Sequence, residues 1–272
     1  MLIPRTIQNI LLLWSLELIK NLQVSQMLTI LHKKRLLPEL LQDYVDIHCH
    51  LIHDIDDGPK TLYDSYHLIK RAMELGISGF IATPHIMADM YPNTPQLISA
   101  QYDQLKQHLV EKDCLPKIFK VAAEYMVDDN FETQLNNKNL LLLSDRYVLI
   151  EFPFIQIPMN IEFIIDSLFA LEYIPVLAHP ERYRYFHDQG DFLTLLKQKG
   201  CKFQINALSL STYYGNSIHK SAMHLLEEGF YSFLGTDIHN QLHLSKLSQI
   251  KVKKNMEKLI VPLIENTKNI FS

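Results

Sequence analysis

Two spacings of apolar residues alternate along this chain. Tyr44-Val45-Asp46-Ile47 has the brevity of a strand and is followed by Thr61, which can cap a helix through Tyr63, Tyr66, Leu68, Ile69, Ala72 and Leu75, with Gly76 as its stop. Residues 77–83 are then almost continuously apolar and lead to Pro84-His85. The pattern recurs: 95–110 reads as helix, 118–123 as strand with Glu124 at its end, and 131–142 as a mixed passage. Residues 147–150 read as a strand entering Glu151-Phe152-Pro153, 160–171 as a helix, and 174–178 as a strand entering His179-Pro180-Glu181-Arg182. Helix 191–199 closes at Gly200 before strand 202–205, tipped by Asn206, and helix 218–228 closes at Gly229. Strand 231–234 enters Gly235-Thr236-Asp237-Ile238-His239, and a final helix is expected over 244–259.

Strands that are apolar throughout and alternate with helices belong to a parallel sheet covered by helices. Seven such units, each with a polar tip at its carboxyl end, predict an α/β fold closed as a seven-stranded (β/α) TIM-like barrel with its site at that rim. An open doubly wound sheet is the alternative, but no glycine-rich phosphate loop follows the first strand. The division expected is an N-terminal helical extension over 1–42 and one domain over 43–272. In the extension, Leu16, Ile19 and Leu22 can line one face of a helix that packs on the body, a partner or a membrane surface, with Lys33-Lys34-Arg35 as a solvated run. Glu17 and Lys20 follow the apolar run at Trp14 too soon for a membrane span.

A formal charge of −4 over 272 residues, without a dense basic run among the polar tips, gives no reason to expect nucleic acid. Cys49, Cys114 and Cys201 are odd in number and far apart, which argues against a disulfide scaffold and for a reducing, cytoplasmic compartment. No arginine stands six positions after any of them: Ile55, Lys120 and Ala207 do, so the phosphate-cradling loop of a cysteine phosphatase is missing. Homo-oligomerisation is left open by the sequence.

His48, His50, Asp57, His85, Glu124, His179, Asp237 and His239 all fall at predicted strand ends. Packed on one rim without partners, such groups would repel or desolvate one another, whereas imidazole and carboxylate together suit Mn, Fe or Zn. Eight ligands exceed one ion's coordination shell, so two or three divalent ions are expected. Arg182 is suited to phosphoryl oxygens through its planar fork, with a surface pair to Glu181 as the alternative. Together these parts point to hydrolysis of a phosphate ester.

Asp46-Ile47-His48-Cys49-His50 with Asp56-Asp57-Gly58, then Thr83-Pro84-His85, Ala123-Glu124-Tyr125, Ile150-Glu151-Phe152, the run from Ala178 to Tyr183 and the run from Ser232 to His239 resemble the polymerase-and-histidinol-phosphatase (PHP) superfamily. They are most similar to its manganese-dependent protein-tyrosine phosphatases of bacterial capsule and exopolysaccharide operons. The resemblance implies a distorted seven-stranded barrel with three Mn ions. His48, His50, Glu124 and Asp237 would surround the first, Glu124 would bridge to a second shared with His179, and Asp57, His85 and His239 would hold the third. It implies catalytic roles for Arg182, Asp57, His85, Glu124 and His239, and a phosphotyrosine-bearing tail of a bacterial tyrosine kinase as partner. Arg182, Tyr183 and Tyr214 are the expected substrate contacts, with Tyr185, Tyr213 and Lys60 as further candidates for the mouth. His53 is a departure from that pattern, either near the leaving group or solvated on its loop. A small-molecule phosphatase acting on histidinol phosphate, and a protein whose metals are structural, are the competing readings.

Overall fold

The computed structural model describes residues 34–186 and 190–272, so the helix expected through Leu16, Ile19 and Leu22 lies outside the described residues. A short strand β1 (Arg35–Leu36) opens the described chain, followed by β2 (Tyr44–Asp46), β3 (Ile77–Ala82), β4 (His85–Ile86), β5 (Ile118–Val121), β6 (Glu124–Met126), β7 (Tyr147–Glu151), β8 (Ile174–Ala178), β9 (Lys202–Asn206), β10 (Phe233–Gly235) and β11 (Lys251–Val252). All pairing in the body is parallel, in a six-stranded sheet of order β10-β9-β8-β7-β6-β4 and a three-stranded sheet of order β2-β3-β5. Strand β1 pairs antiparallel with β11.

The strands expected over 77–83 and 118–123 are β3 and β5, and each is followed by a second short strand that the sequence pattern does not predict. His85 and Glu124 each begin a second segment, β4 and β6, after the Thr83-Pro84 and Ala122-Ala123 steps. Pro84 has no N–H to give a ladder, although its carbonyl accepts from Glu124 N at 3.0 Å. Beyond β2 and β10 the chain continues to pair: Cys49 bridges Ile238, and His50 N donates to Ile238 O at 2.9 Å.

Helix α1 (Leu62–Glu74) begins as expected at a capping box, in which Thr61 Oγ1 accepts from Asp64 N and Asp64 Oδ2 accepts from Thr61 N, each at 3.1 Å. Gly76 ends it in the left-handed region, φ +103°. The helices α2 (Pro95–Glu111), α3 (Asp129–Asn136), α4 (Ile161–Ala170), α5 (Gly190–Lys199) and α6 (Asn216–Glu227) follow the expected alternation. The last expected helix is a correction: 244–259 is divided into α7 (Gln241–Leu247), β11 and α8 (Lys254–Phe271). Ile250 and Val252 are buried in the connection between the two helices, so its apolar residues mimic a continuing helical face.

Alternate residues from both sheets, including Val45, Ile81, Leu149, Val176 and Phe233, make one buried cluster. Phe271 of α8 packs its ring against Phe233 and Tyr147, covering the end of this cluster where β7 begins. The larger apolar cluster lies between strands and helices. Leu37 and Leu41 are fully buried in it, and Leu37 N donates to Ile250 O at 2.9 Å, so packed structure crosses the expected boundary between residues 42 and 43. Among the described residues no helix is long and apolar enough to cross a membrane.

Candidate metal centre

The carboxyl ends of the parallel strands deliver one connected set of imidazoles and carboxylates. His48 and His50 lie just beyond β2, His85 opens β4, Glu124 opens β6, Glu151 ends β7, His179 follows β8, and Asp237 and His239 follow β10. His179 and Asp237 hold left-handed backbones, φ +32° and +54°, conformations that cost a side-chain-bearing residue energy and are characteristic of sites whose surroundings fix them.

Glu124 is the hub. Its Oε2 lies 3.2 Å from His48 Nε2, 3.3 Å from His50 Nε2 and 3.1 Å from His85 Nδ1, while its Oε1 lies 3.2 Å from His179 Nε2. Asp237 Oδ1 is 3.3 Å from His48 Nε2 and 3.4 Å from His50 Nε2. All eight expected ligands fall in groups whose donor atoms lie within 4.8 Å of one another, with His50, Asp57, His85 and His239 forming one group.

The hydrogen bonds behind these ligands settle which ring nitrogens are free. His48 Nδ1 donates to Gln204 Oε1 and His50 Nδ1 to Asp56 Oδ2, each at 2.8 Å. In their neutral, metal-binding form both rings therefore turn an Nε2 lone pair inward, and the two Nε2 atoms stand 3.4 Å apart. Lone pairs facing one another and two carboxylates are unfavourable unless a positive charge lies among them. Glu124 Oε1 and Oε2, Glu151 Oε2, His85 Nδ1 and His179 Nδ1 are buried without a hydrogen-bond partner. Donor atoms about 3.0–3.5 Å apart are what ligands sharing an ion at roughly 2.0–2.2 Å present, so the residues fit divalent cations.

Electrostatics agrees. Burial alone would raise Glu124 and Asp237, but the surrounding imidazoles, His48 first in each case, hold both well below the usual carboxylate range. Burial depresses His50, yet Asp56, Asp237 and Glu124 lift it well above its ordinary value. His179 falls to about 4, through burial and then Arg182. Protons on some of the imidazoles thus supply part of the positive charge that cations would supply.

Arg182 does not pair with Glu181. Its Nη1 donates to Asp237 Oδ2 at 2.8 Å, and its guanidinium carbon sits 5.0 Å from the Phe154 ring centre and 4.7 Å from that of Tyr214. Glu181 instead accepts from Asn206 N and Tyr231 OH. A cavity of about 450 Å³ opens over Arg182 and the cluster, walled by Met90, Tyr91, Phe154 and Tyr214.

Several expected residues are elsewhere. Tyr183 is a correction: it is fully buried, its hydroxyl donating to Ala178 O and accepting from Phe152 N, and only Tyr214 of the proposed tyrosines lines the cavity. Tyr185 donates to Pro153 O, and Tyr213 meets His243 edge-on. Lys60 donates to Asp56 O at 2.7 Å. His53 does not line the cavity, and burial and nearby His108 lower its proton affinity. Conversely, Glu151 belongs with His85 and Glu124, although its role was not foreseen. Its place at a strand's carboxyl end was the available signal.

The sequence profile of the family described as capsular polysaccharide synthesis, CpsB/CapC, matches residues 44–270. The chain belongs to this family. It is 35% identical over 197 residues to the tyrosine-protein phosphatase YwqE of Bacillus subtilis (strain 168), covering 72% of this chain and 77% of that protein. It is 32% identical to the putative tyrosine-protein phosphatase CapC of Staphylococcus aureus, with the same coverage. Among solved structures, one described as YwqE from Bacillus subtilis and CpsB from Streptococcus pneumoniae, unique metal-dependent tyrosine phosphatases, superposes with a TM-score of 0.73 at 32% identity, covering 84% of this chain and 94% of that one. The phosphotriesterase homology protein of Escherichia coli, with phosphate in its active site, matches at a TM-score of 0.51 and 14% identity over 85% of this chain and 99% of that one, a likeness of fold. Every residue of the cluster around Glu124 lies inside the matched span.

Proposed function

We propose that this chain is a metal-dependent protein-tyrosine phosphatase acting on a bacterial tyrosine kinase that governs capsule or exopolysaccharide synthesis. The observation that carries the reading is the convergence on Glu124 of inward-facing imidazole nitrogens, with both of its oxygens unpartnered, beside Arg182 in an open cavity. The relatives' names supply the phosphotyrosine substrate and the capsule context.

Two or three divalent ions, Mn in preference to Fe or Zn, would be held by His48, His50, Asp57, His85, Glu124, His179, Asp237 and His239, with Glu151 as a further carboxylate. When bound, they supply Lewis acidity toward a phosphoryl oxygen and an activated water. The chain's own residues do the rest. Arg182, held between two rings and braced by Asp237, presents its remaining N–H groups to the phosphoryl oxygens. Gln204 and Asp56 keep His48 and His50 in one tautomer and orientation. His48, His50 and Glu124 have fully buried side chains, whereas His85 and His239 are 11% and 12% exposed and Asp57 is 50% exposed. On this reading the last three, nearest the cavity mouth, stand beside the leaving phenolate, and a phenolate is a fair leaving group that needs little help.

The buried thiols have no part in this chemistry. Burial pushes Cys201 up to about 12 and Cys49 well above its ordinary value. The barrel reading counts β3 with β4, and β5 with β6, as interrupted single staves, giving seven, and joins β2 to β10 through the Cys49–Ile238 bridge. Residues 43–272 form the catalytic unit and 1–42 an extension whose last turn docks on it, in a cytoplasmic protein. The test is a panel of phosphotyrosine peptide, phosphoserine peptide, histidinol phosphate and single-stranded DNA, assayed with Mn, with chelator and after thiol alkylation. Hydrolysis of the phosphotyrosine peptide should lead, vanish with chelator and survive alkylation. Preference for histidinol phosphate would refute the assignment.

A further inference from the structure

A second cavity of about 650 Å³ adjoins the catalytic one, and His239 and Asn240 line both. One wall comes from α1 and its approach, with Lys60, Tyr63 and His67, and the other from the start of α7, with Gln241 and Leu242. Tyr63 and Leu242 are large apolar side chains left 67% and 55% exposed, and both face this space, while Leu68, 1% exposed, lies at its lining. Two of the polar groups there are already engaged: Asp64 accepts from Thr61 in the helix cap, and the Lys60 ammonium donates to the Asp56 carbonyl. The hollow therefore offers a ligand apolar contact from Tyr63, Leu68 and Leu242, beside the Lys60 ammonium.

We infer that this cavity is a subsite for an apolar or aromatic side chain next to the phosphotyrosine in a peptide substrate. The inference rests on the phosphatase reading above, and names what that reading leaves open: how the enzyme recognises peptide beyond the phosphorylated ring. Continuity decides the occupant. A chain whose phosphotyrosine enters the pocket over Arg182 has to leave it over a wall, and the His239–Asn240 wall leads into the hollow. An extended peptide rises about 3.3 Å per residue with side chains i and i+2 on one face, so a residue two positions from the phosphotyrosine is the one within reach. A slot between a tyrosine and a leucine accepts an aliphatic or aromatic side chain and gives nothing to glycine.

The experiment compares kcat/KM for three substrates on the metal-loaded full chain: a small aryl phosphate, a phosphotyrosine peptide with leucine or tyrosine two residues to either side, and the same peptide with glycine there. Wild type should prefer the apolar peptide over the glycine peptide by about tenfold, expressed in KM. The double variant Tyr63→Ala, Leu242→Ala, which trims two exposed side chains, should bring that ratio close to one. A wild-type ratio near one, or a preference that survives in the variant, overturns the subsite while aryl-phosphate hydrolysis leaves the phosphatase reading intact. Failure of the wild type to hydrolyse aryl phosphate strikes the phosphatase reading itself, and the subsite with it.

Discussion

Arg182 is the residue on which phosphate binding and metal binding can be separated. Its fork reaches Asp237 Oδ2, but Asn206 Nδ2 also donates to that oxygen at 2.8 Å, so Asp237 keeps an orienting partner when the arginine is removed. Arg182→Ala should lower kcat/KM for a phosphotyrosine peptide by about 10²–10³-fold while elemental analysis still finds the wild-type metal content, and Arg182→Lys should recover only part of the loss. Tyr183 makes the opposite case. Removing its hydroxyl in Tyr183→Phe leaves Phe152 N and Ala178 O unpaired in the core, which should cost about 1–3 kcal/mol in urea unfolding, with KM for the peptide unchanged. The clustering of the eight histidines and acids was legible in the sequence, because so many of them at the ends of successive apolar strands have to meet on one rim. Sequence did not separate Tyr183 from Tyr214, since both are tyrosines in loops after strands, and only the packing of Tyr183 against Phe152 and Phe186 tells that one of them faces inward. Glu151 was legible by the same strand-end rule as Glu124. It differs in having Glu124 beside it: burial and that like charge push its carboxyl well above the usual range.

Elements were legible where local chemistry fixes them. Thr61, Asp64 and Gly76 specify the limits of α1 without help from the rest of the molecule. Breaks dictated by tertiary demands were not: β4 and β6 restart their strands so that His85 and Glu124 stand in register opposite one another, a pairing no single window of sequence contains. Strand β10 is held to a similar demand. A Cβ at Gly235 would lie 2.6 Å from Gln204 Nε2 and 2.7 Å from His48 Cβ, so the bare backbone here is what lets the ligand and its orienting amide pack together. Gly235→Ala should displace both, and a titration of metal into the stripped variant should show affinity lower by about 10–100-fold, the loss expected when an orienting partner of a ligand is disturbed. Far-ultraviolet circular dichroism should remain that of the wild type.

For the whole molecule, the cluster at the sheet ends costs stability that bound cations would restore. Loading at about a thousand times the dissociation constant would add roughly 4 kcal/mol, which in a chain of this size moves Tm by about 10 °C. Calorimetry with and without chelator should find that difference, and equal Tm values would remove the cations from the account of this fold. The pH dependence sharpens the test. In metal-free protein His50 and Glu151 both have folded proton affinities raised above their unfolded values, so each stabilises while protonated and loses that contribution as pH rises through its folded value. His179, lowered to about 4, acts in the opposite sense, but its effect is complete once pH exceeds the unfolded imidazole value of about 6.5. Above that pH the chelated protein should lose stability as pH rises. Cations require deprotonated ligands and bind more tightly over the same range, so the loaded protein should hold its Tm and the gap between the two forms should widen from neutral to mildly alkaline pH. A gap that narrows would mean that protons on His50 and Glu151 are not standing in for metal, and that the buried charge at Glu124 is balanced in some other way.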